Sequence, residues 1–198
     1  MKKILICFIH GILLSNYSDT GPYEVSVSTD DFTLSNGQSI EFAYYAPMEI
    51  QHTTQVTLVH SFSREMDTLY ELAEHYASWG LGVITMNLLH SSIFGNDPLQ
   101  DALDLRELSD YFSDGRPVIY AGHSAGAMRA IVAASGDTNA VAILGLDLTD
   151  GVYDDTDGEF LGLMHAGMLT IPVWGLLAEP SSCNANGNGL NVYMNAEN

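Results

Sequence analysis

The chain has 198 residues, 46% of them hydrophobic, which suits one domain with a real core and excludes disorder as its main state. Six Lys and Arg stand against 25 Asp and Glu, a formal net charge of −19. So acidic a chain repels phosphate backbones and anionic surfaces, and nucleic acid is not expected as a partner. No apolar run reaches the roughly 18–20 residues of a spanning helix, so stable membrane insertion is not expected either.

Lys2 and Lys3 followed by the apolar run Ile4 to Leu14 read as an export signal over residues 1–18, which places the protein in the periplasm or outside the cell. The cleavage zone near Ser15 to Ser18 lacks an A-x-A pattern. Residues 15–23 read as a linker, and the domain as residues 24–198. Glu24 to Thr29 and Gln38 to Tyr45 read as strands, with Asn36-Gly37 as the turn between them, so an antiparallel start is expected. Gln55 to His60 is a strand, Glu65 to Trp79 a helix stopped at Gly80, and Gly82 to Asn87 a strand. Asp97-Pro98 is a cap followed by a first-turn proline, opening a helix through Phe112 that ends at Gly115. Pro117 to Ala121 is a strand, Ala125 to Ala134 a small apolar helix, and Ala140 to Leu146 and Ile171 to Leu177 two more strands. Residues 150–169 have no clear period and read as a loop or lid. Unalternating apolar strands between helices predict an α/β fold with a mostly parallel, doubly wound sheet and antiparallel N-terminal strands.

Gly122-His123-Ser124-Ala125-Gly126 matches G-x-S-x-G, and it sits between a predicted strand and a predicted helix. That setting is what a nucleophile elbow needs: a sharp turn exposes the serine hydroxyl at the carboxyl end of the sheet. The N–H of Ala125, the residue after the serine, is one expected oxyanion donor. A second is expected from the loop after strand 55–60. The acid should follow the serine in the chain, and Asp147, at the end of strand 140–146, leads Glu179 and Asp150 as candidate. His60 reads as a structural loop histidine. Phe62, Phe94 and Tyr153 are candidate pocket lining.

With the elbow, four segments resemble the α/β-hydrolase superfamily, and more narrowly its bacterial chlorophyllase-like, lipase- and esterase-type serine hydrolases. They are Val59-His60-Ser61-Phe62, residues 74–81, Leu144-Gly145-Leu146-Asp147 and residues 179–184. The resemblance covers about residues 24–180. It implies carboxylic-ester hydrolysis by a Ser-Asp-His triad, no cofactor, and a small-molecule or lipid-like ester as substrate. It also implies the N–H of Phe62 as the second oxyanion donor, although Ser61 stands where the family has Gly.

The resemblance puts the base histidine in a loop after the last strand, but none of the seven histidines follows residue 165. The expectation is therefore a domain that is C-terminally incomplete, cut before its last strand and catalytic His. On the same resemblance, Cys183 would pair with a cysteine in the absent segment, since Cys7 lies in the signal. His90 and His165 are the internal candidates for a substitute base. The alternative reading is a non-catalytic protein of this fold that binds an ester or lipid-like ligand. No metal site is expected: the acidic run at residues 154–159 lacks full calcium-loop spacing, and Asn184 to Gly189 reads as a flexible turn.

Overall fold

The computed structural model describes residues 17–49, 52–151 and 160–196. Residues 1–16 of the expected signal, Tyr153 and the acidic run 154–159 lie outside them.

The chain opens on a hairpin, β1 (Val25–Thr33) and β2 (Ser39–Pro47), paired antiparallel from Val25↔Pro47 to Thr33↔Ser39. Gly37 takes a positive φ of 85° in the five-residue turn, where side chains are disfavoured. β3 (Gln55–Val59) leads through a 3-10 turn (Met66–Leu69) into α1 (Tyr70–Ser78), then β4 (Gly82–Met86). The helix expected over Glu65–Trp79 thus begins as a tighter turn. The side chain of Asn87 accepts from the N–H of Met66 at its start, and Leu69 leaves helical geometry at ψ 1°.

A small hairpin follows, β5 (Ser91–Ser92) and β6 (Gly95–Asn96), then α2 (Pro98–Ser113). The Asp97 side chain accepts from the N–H of Gln100, Pro98 occupies the first turn, and Asp114 and Gly115 close the helix at positive φ. β7 (Val118–His123), α3 (Ala125–Ser135), β8 (Ala140–Leu146), α4 (Leu161–Ala166) and β9 (Val173–Leu176) complete the wound part. A second 3-10 segment (Ser182–Gly187) and α5 (Gly189–Asn195) follow. Within the expected loop 150–169 lies α4, six residues long and too short to show a period.

The seven-stranded sheet runs β1-β2-β4-β3-β7-β8-β9. β4, β3, β7, β8 and β9 are parallel, and β1 and β2 are antiparallel additions. α1 covers one face, over Val56, Leu58 and Ala121. The other helices cover the opposite face, where Leu105, Ile131, Leu161 and Val192 pack with Val59, Tyr120 and Ile143. From β3 the chain winds outward to β4 and then returns to β7 on β3's other side. The strand order therefore switches between β3 and β7, and the crevice at their carboxyl ends is where such sheets bind ligands.

The N-terminal stretch expected to be a linker is fastened to α1 from Tyr17 onward. Tyr17 packs 4.6 Å from Trp79, its carbonyl lies 2.8 Å from the Nε2 of His75, and the N–H groups of Gly21 and Tyr23 donate to Ser78.

One buried ion pair crosses the helical layer. Arg129 on α3 donates from Nε to Asp101 on α2 at 2.8 Å, from Nη2 to the side chain of Asn96 at 2.7 Å, and from Nη1 to the carbonyl of Ala125 at 3.2 Å. The other oxygen of Asp101 accepts from the N–H of His90. Removing one partner strands a buried charge, so Arg129→Ala should cost about 3–5 kcal/mol in urea unfolding. Arg129→Met combined with Asp101→Leu should lose clearly less, because neither charge is then left alone.

Candidate active site

β7 runs straight into α3 through Ser124, whose backbone takes φ 55° and ψ −125°. A non-glycine residue there costs on the order of 1–3 kcal/mol and persists only where its surroundings enforce it. The two flanking glycines supply that enforcement. A Cβ on Gly126 would lie 2.2 Å from the carbonyl oxygen of His60, and one on Gly122 would lie 2.6 Å from the carbonyl of Gly126. Hydrogen alone fits at both places, so β3, β7 and α3 meet at backbone distance. The N–H of Ser124 donates to Leu146 at 2.8 Å and ties the turn to β8. The first N–H groups of α3, beginning with Ala125, have no partner within the helix and give this end a partial positive charge.

A cavity of about 420 Å³ opens at this carboxyl edge. Ser61, Phe62, Arg64, Thr68 and Leu69 line it from the β3 side; His123, Ser124, Asp147 and Cys183 line the rest. The Ser124 hydroxyl donates to Thr149 Oγ1 at 3.3 Å, and Thr149 in turn donates to the carbonyl of Asp147 at 3.4 Å. Cys183 is exposed and free.

Asp147 follows β8 in a left-handed conformation, φ 49°. Its Oδ1 accepts from the N–H of Ala178 at 3.1 Å and from the Asn184 amide at 3.0 Å, while Oδ2 has no protein donor among the described residues. Asn184 is buried and fully used: it also donates to the carbonyl of Glu179 and accepts from Ser181 and Gly187. The stretch expected to be a flexible turn is therefore ordered around this one side chain. Sequence reading missed Asn184, together with Thr149, Arg64 and the cavity-facing His123. The serine three residues before Asn184, forming a capping box with it, was the available signal.

The two alternative acids lie elsewhere in the fold. The Asp150 carboxylate is buried and caps α4, accepting from the N–H groups of Gly162 at 2.9 Å and Leu163 at 2.8 Å. Its backbone is clasped by the Asn188 amide, which accepts from the Asp150 N–H and donates to its carbonyl. Glu179 is exposed and lies outside the cavity wall. Phe94, expected to line the pocket, points away into solvent.

The two candidate substitute bases also lie away from the cavity. His165 is bonded through Nδ1 to Ser135 at 2.7 Å, at the far end of α3. That helix is 11 residues long, so Ser135 stands about 16 Å from Ser124 at 1.5 Å per residue. The Nε2 of His90 is buried 3.9 Å from Asp104, and His90 does not line the cavity. His123 lines the cavity, but among the described residues no hydrogen bond joins a histidine ring to Ser124. His60 is buried and structural: its Nε2 accepts from the N–H of Leu88 at 3.0 Å, which leaves the proton on Nδ1 to bond Ser61 at 2.8 Å. Among the described residues no cluster could hold a metal ion, and no helix is long and apolar enough to cross a membrane.

No protein family and no curated protein matches this sequence. Solved structures match it in fold. A Klebsiella pneumoniae protein described as a dienelactone hydrolase superposes with a TM-score of 0.69 at 12% identity, over 86% of this chain and 80% of that one. DcsB, in complex with its substrate analogue, gives 0.56 at 20% identity over 66% of this chain and 48% of its own. A highly thermostable carboxyl esterase from Bacillus coagulans, in complex with glycerol, gives 0.53 at 17% identity over 64% and 46%. The chain thus spans just under half of the latter two proteins. What these structures share with it is architecture: the chain has the α/β-hydrolase fold.

Burial holds the pKa of His60 below its ordinary value. The unfolded chain, with a histidine pKa near 6.5, therefore takes up a proton that the folded chain refuses. The contribution is fully present above about pH 6.5 and is lost as pH falls through that value toward the lower folded one. Urea unfolding between about pH 7.5 and 5.5 should show stability declining with acid. His60→Gln should flatten that slope whatever it does to the absolute stability.

Proposed function

We propose that this chain is a serine hydrolase of carboxylic esters, acting on a small-molecule or lipid-like substrate. The observation that carries the reading is the strained turn at Ser124, which shares one cavity with the Asp147 carboxylate and the loop of Phe62. The hydrolase descriptions of two fold neighbours support it.

Ser124 Oγ attacks the ester carbonyl. The oxyanion of the tetrahedral intermediate is met by the N–H groups of Ala125, at the start of α3, and Phe62; preorganised donors of this kind are worth several kcal/mol. Asp147 is the acid: two donors hold one of its oxygens, and the other is open to a histidine N–H. We assign the base, as the family resemblance implies, to a histidine that the described residues do not bring to Ser124. It takes the Ser124 proton and passes it to the leaving alcohol, and water then hydrolyses the acyl-enzyme. We also read the protein as exported, from the basic and apolar pattern of residues 2–14.

A fluorophosphonate probe tests this directly. The 198-residue chain should label slowly, at Ser124 and not in Ser124→Ala. A longer chain carrying the histidine should label at least about a hundredfold faster, the low end of what a positioned base contributes. In that longer chain Asp147→Asn should cut kcat on p-nitrophenyl butyrate by about 10⁴-fold, and Glu179→Gln only a few-fold. Labelling no faster than the Ser124→Ala control in either form would leave the non-catalytic binding protein as the reading.

A further inference from the structure

We propose that the β5–β6 hairpin is an interfacial anchor, whose tip residues Ile93 and Phe94 enter an uncharged lipid–water interface and hold the mouth of the Ser124 cavity against it. Ile93 is 75% exposed and Phe94 94% exposed, side by side at the tip of a hairpin whose strands pair at Ser91↔Asn96 and Ser92↔Gly95.

Neither packing nor turn chemistry accounts for these two residues. Two-residue hairpin turns favour Asn, Asp and Gly, because the turns that fit strand twist need positive φ. Neither Ile93 nor Phe94 has a positive φ, and a β-branched residue is poorly suited to one. Polar residues would serve this turn better in water. A large apolar pair held out into solvent is unfavourable unless something apolar receives it.

The tip is also braced, as an anchor has to be. The Ser92 hydroxyl bonds the N–H of Phe94 and the carbonyl of Gly95 across the turn. At the hairpin's root the N–H of Asp97 donates to His90, the Asn96 side chain accepts from the buried Arg129, and the N–H of His90 donates to Asp101. The carbonyl of Ser91 accepts from the N–H of Ser63 at 2.8 Å. Ser63 lies between Phe62 and Arg64 in the cavity wall, so the tip stands two residues from a direct bond to the loop beside Ser124.

Size and charge choose the occupant. Two side chains fall far short of the roughly 800 Å² per partner that a stable protein interface buries, but they suit insertion at the headgroup–acyl boundary. Residues 88–96 carry no Lys, Arg, Asp or Glu, and Leu89 adds a further exposed apolar side chain at the root. The net charge of −19 opposes an anionic surface. The receiving surface is therefore zwitterionic or neutral. The proposal goes beyond the hydrolase reading and does not need turnover by Ser124.

Co-sedimentation with phosphatidylcholine vesicles tests it, in the native chain and in a chain carrying Ile93→Ser and Phe94→Ser. The native chain should partition onto these vesicles, and the double variant at least about tenfold less, given what burying even one such side chain contributes. Vesicles of phosphatidylcholine with phosphatidylglycerol should bind less protein. Phe94→Trp should retain binding and add a blue-shifted emission component with vesicles, a readout that holds even if the serine variant folds poorly. Absence of binding by the native chain, equal binding by a folded double variant, preference for the anionic vesicles, or a dimer in gel filtration that the serine substitutions abolish would each overturn the proposal.

Discussion

The site depends on one steric constraint: α3 must touch the ends of β3 and β7 with no side chain between them. Gly126 faces the carbonyls of Val59 and His60, and Gly122 faces the backbone of Gly126. With that contact made, Ser124 is held in the strained turn, and α3 begins beside it with its partial positive charge. The cavity wall is built from this junction and the loop after β3 on one side, and from Asp147 after β8 and Cys183 after β9 on the other.

Two polar clasps hold those loops. Arg129, one turn into α3, binds the Ala125 carbonyl, α2 through Asp101 and the hairpin through Asn96, so the first turn of the central helix and the loop after β4 are set by the same guanidinium. Across the cavity, Asn184 and Asn188 do for the C-terminal segment what a strand ladder would do. They satisfy Asp147, Asp150, Ser181 and the carbonyl of Glu179 with side-chain amides. Burying such amides is tolerable because nearly every donor and acceptor is matched.

The sheet's two edges are treated differently. β1 carries Asp30 and Asp31 on exposed positions, which discourages another strand from pairing with it. β9 presents Trp174 at 62% and Leu176 at 66% exposure, on the face they share with Leu144 and Leu146 of β8. On the opposite face the missing side chains of Gly145 and Gly175 make room for the Tyr193 ring, which closes that side of the strand pair.

The sequence by itself determined the order of the main strands and helices, the antiparallel start and the parallel core, because apolar runs, Asp97-Pro98 and the glycine stops are local signals. It also determined that Ser124 would sit between strand and helix, since G-x-S-x-G is a steric requirement written in adjacent residues. Tertiary structure alone separates the three acidic residues that follow Ser124 as candidates. Asp147, Asp150 and Glu179 are equivalent as letters, and they differ only in that Asp150 meets the N-terminus of α4, Glu179 meets water, and Asp147 meets the cavity. It alone sent His165 to the far end of α3 and Phe94 into solvent. Each of those outcomes depends on which distant segment arrives beside the residue, and no local pattern of residues carries that information.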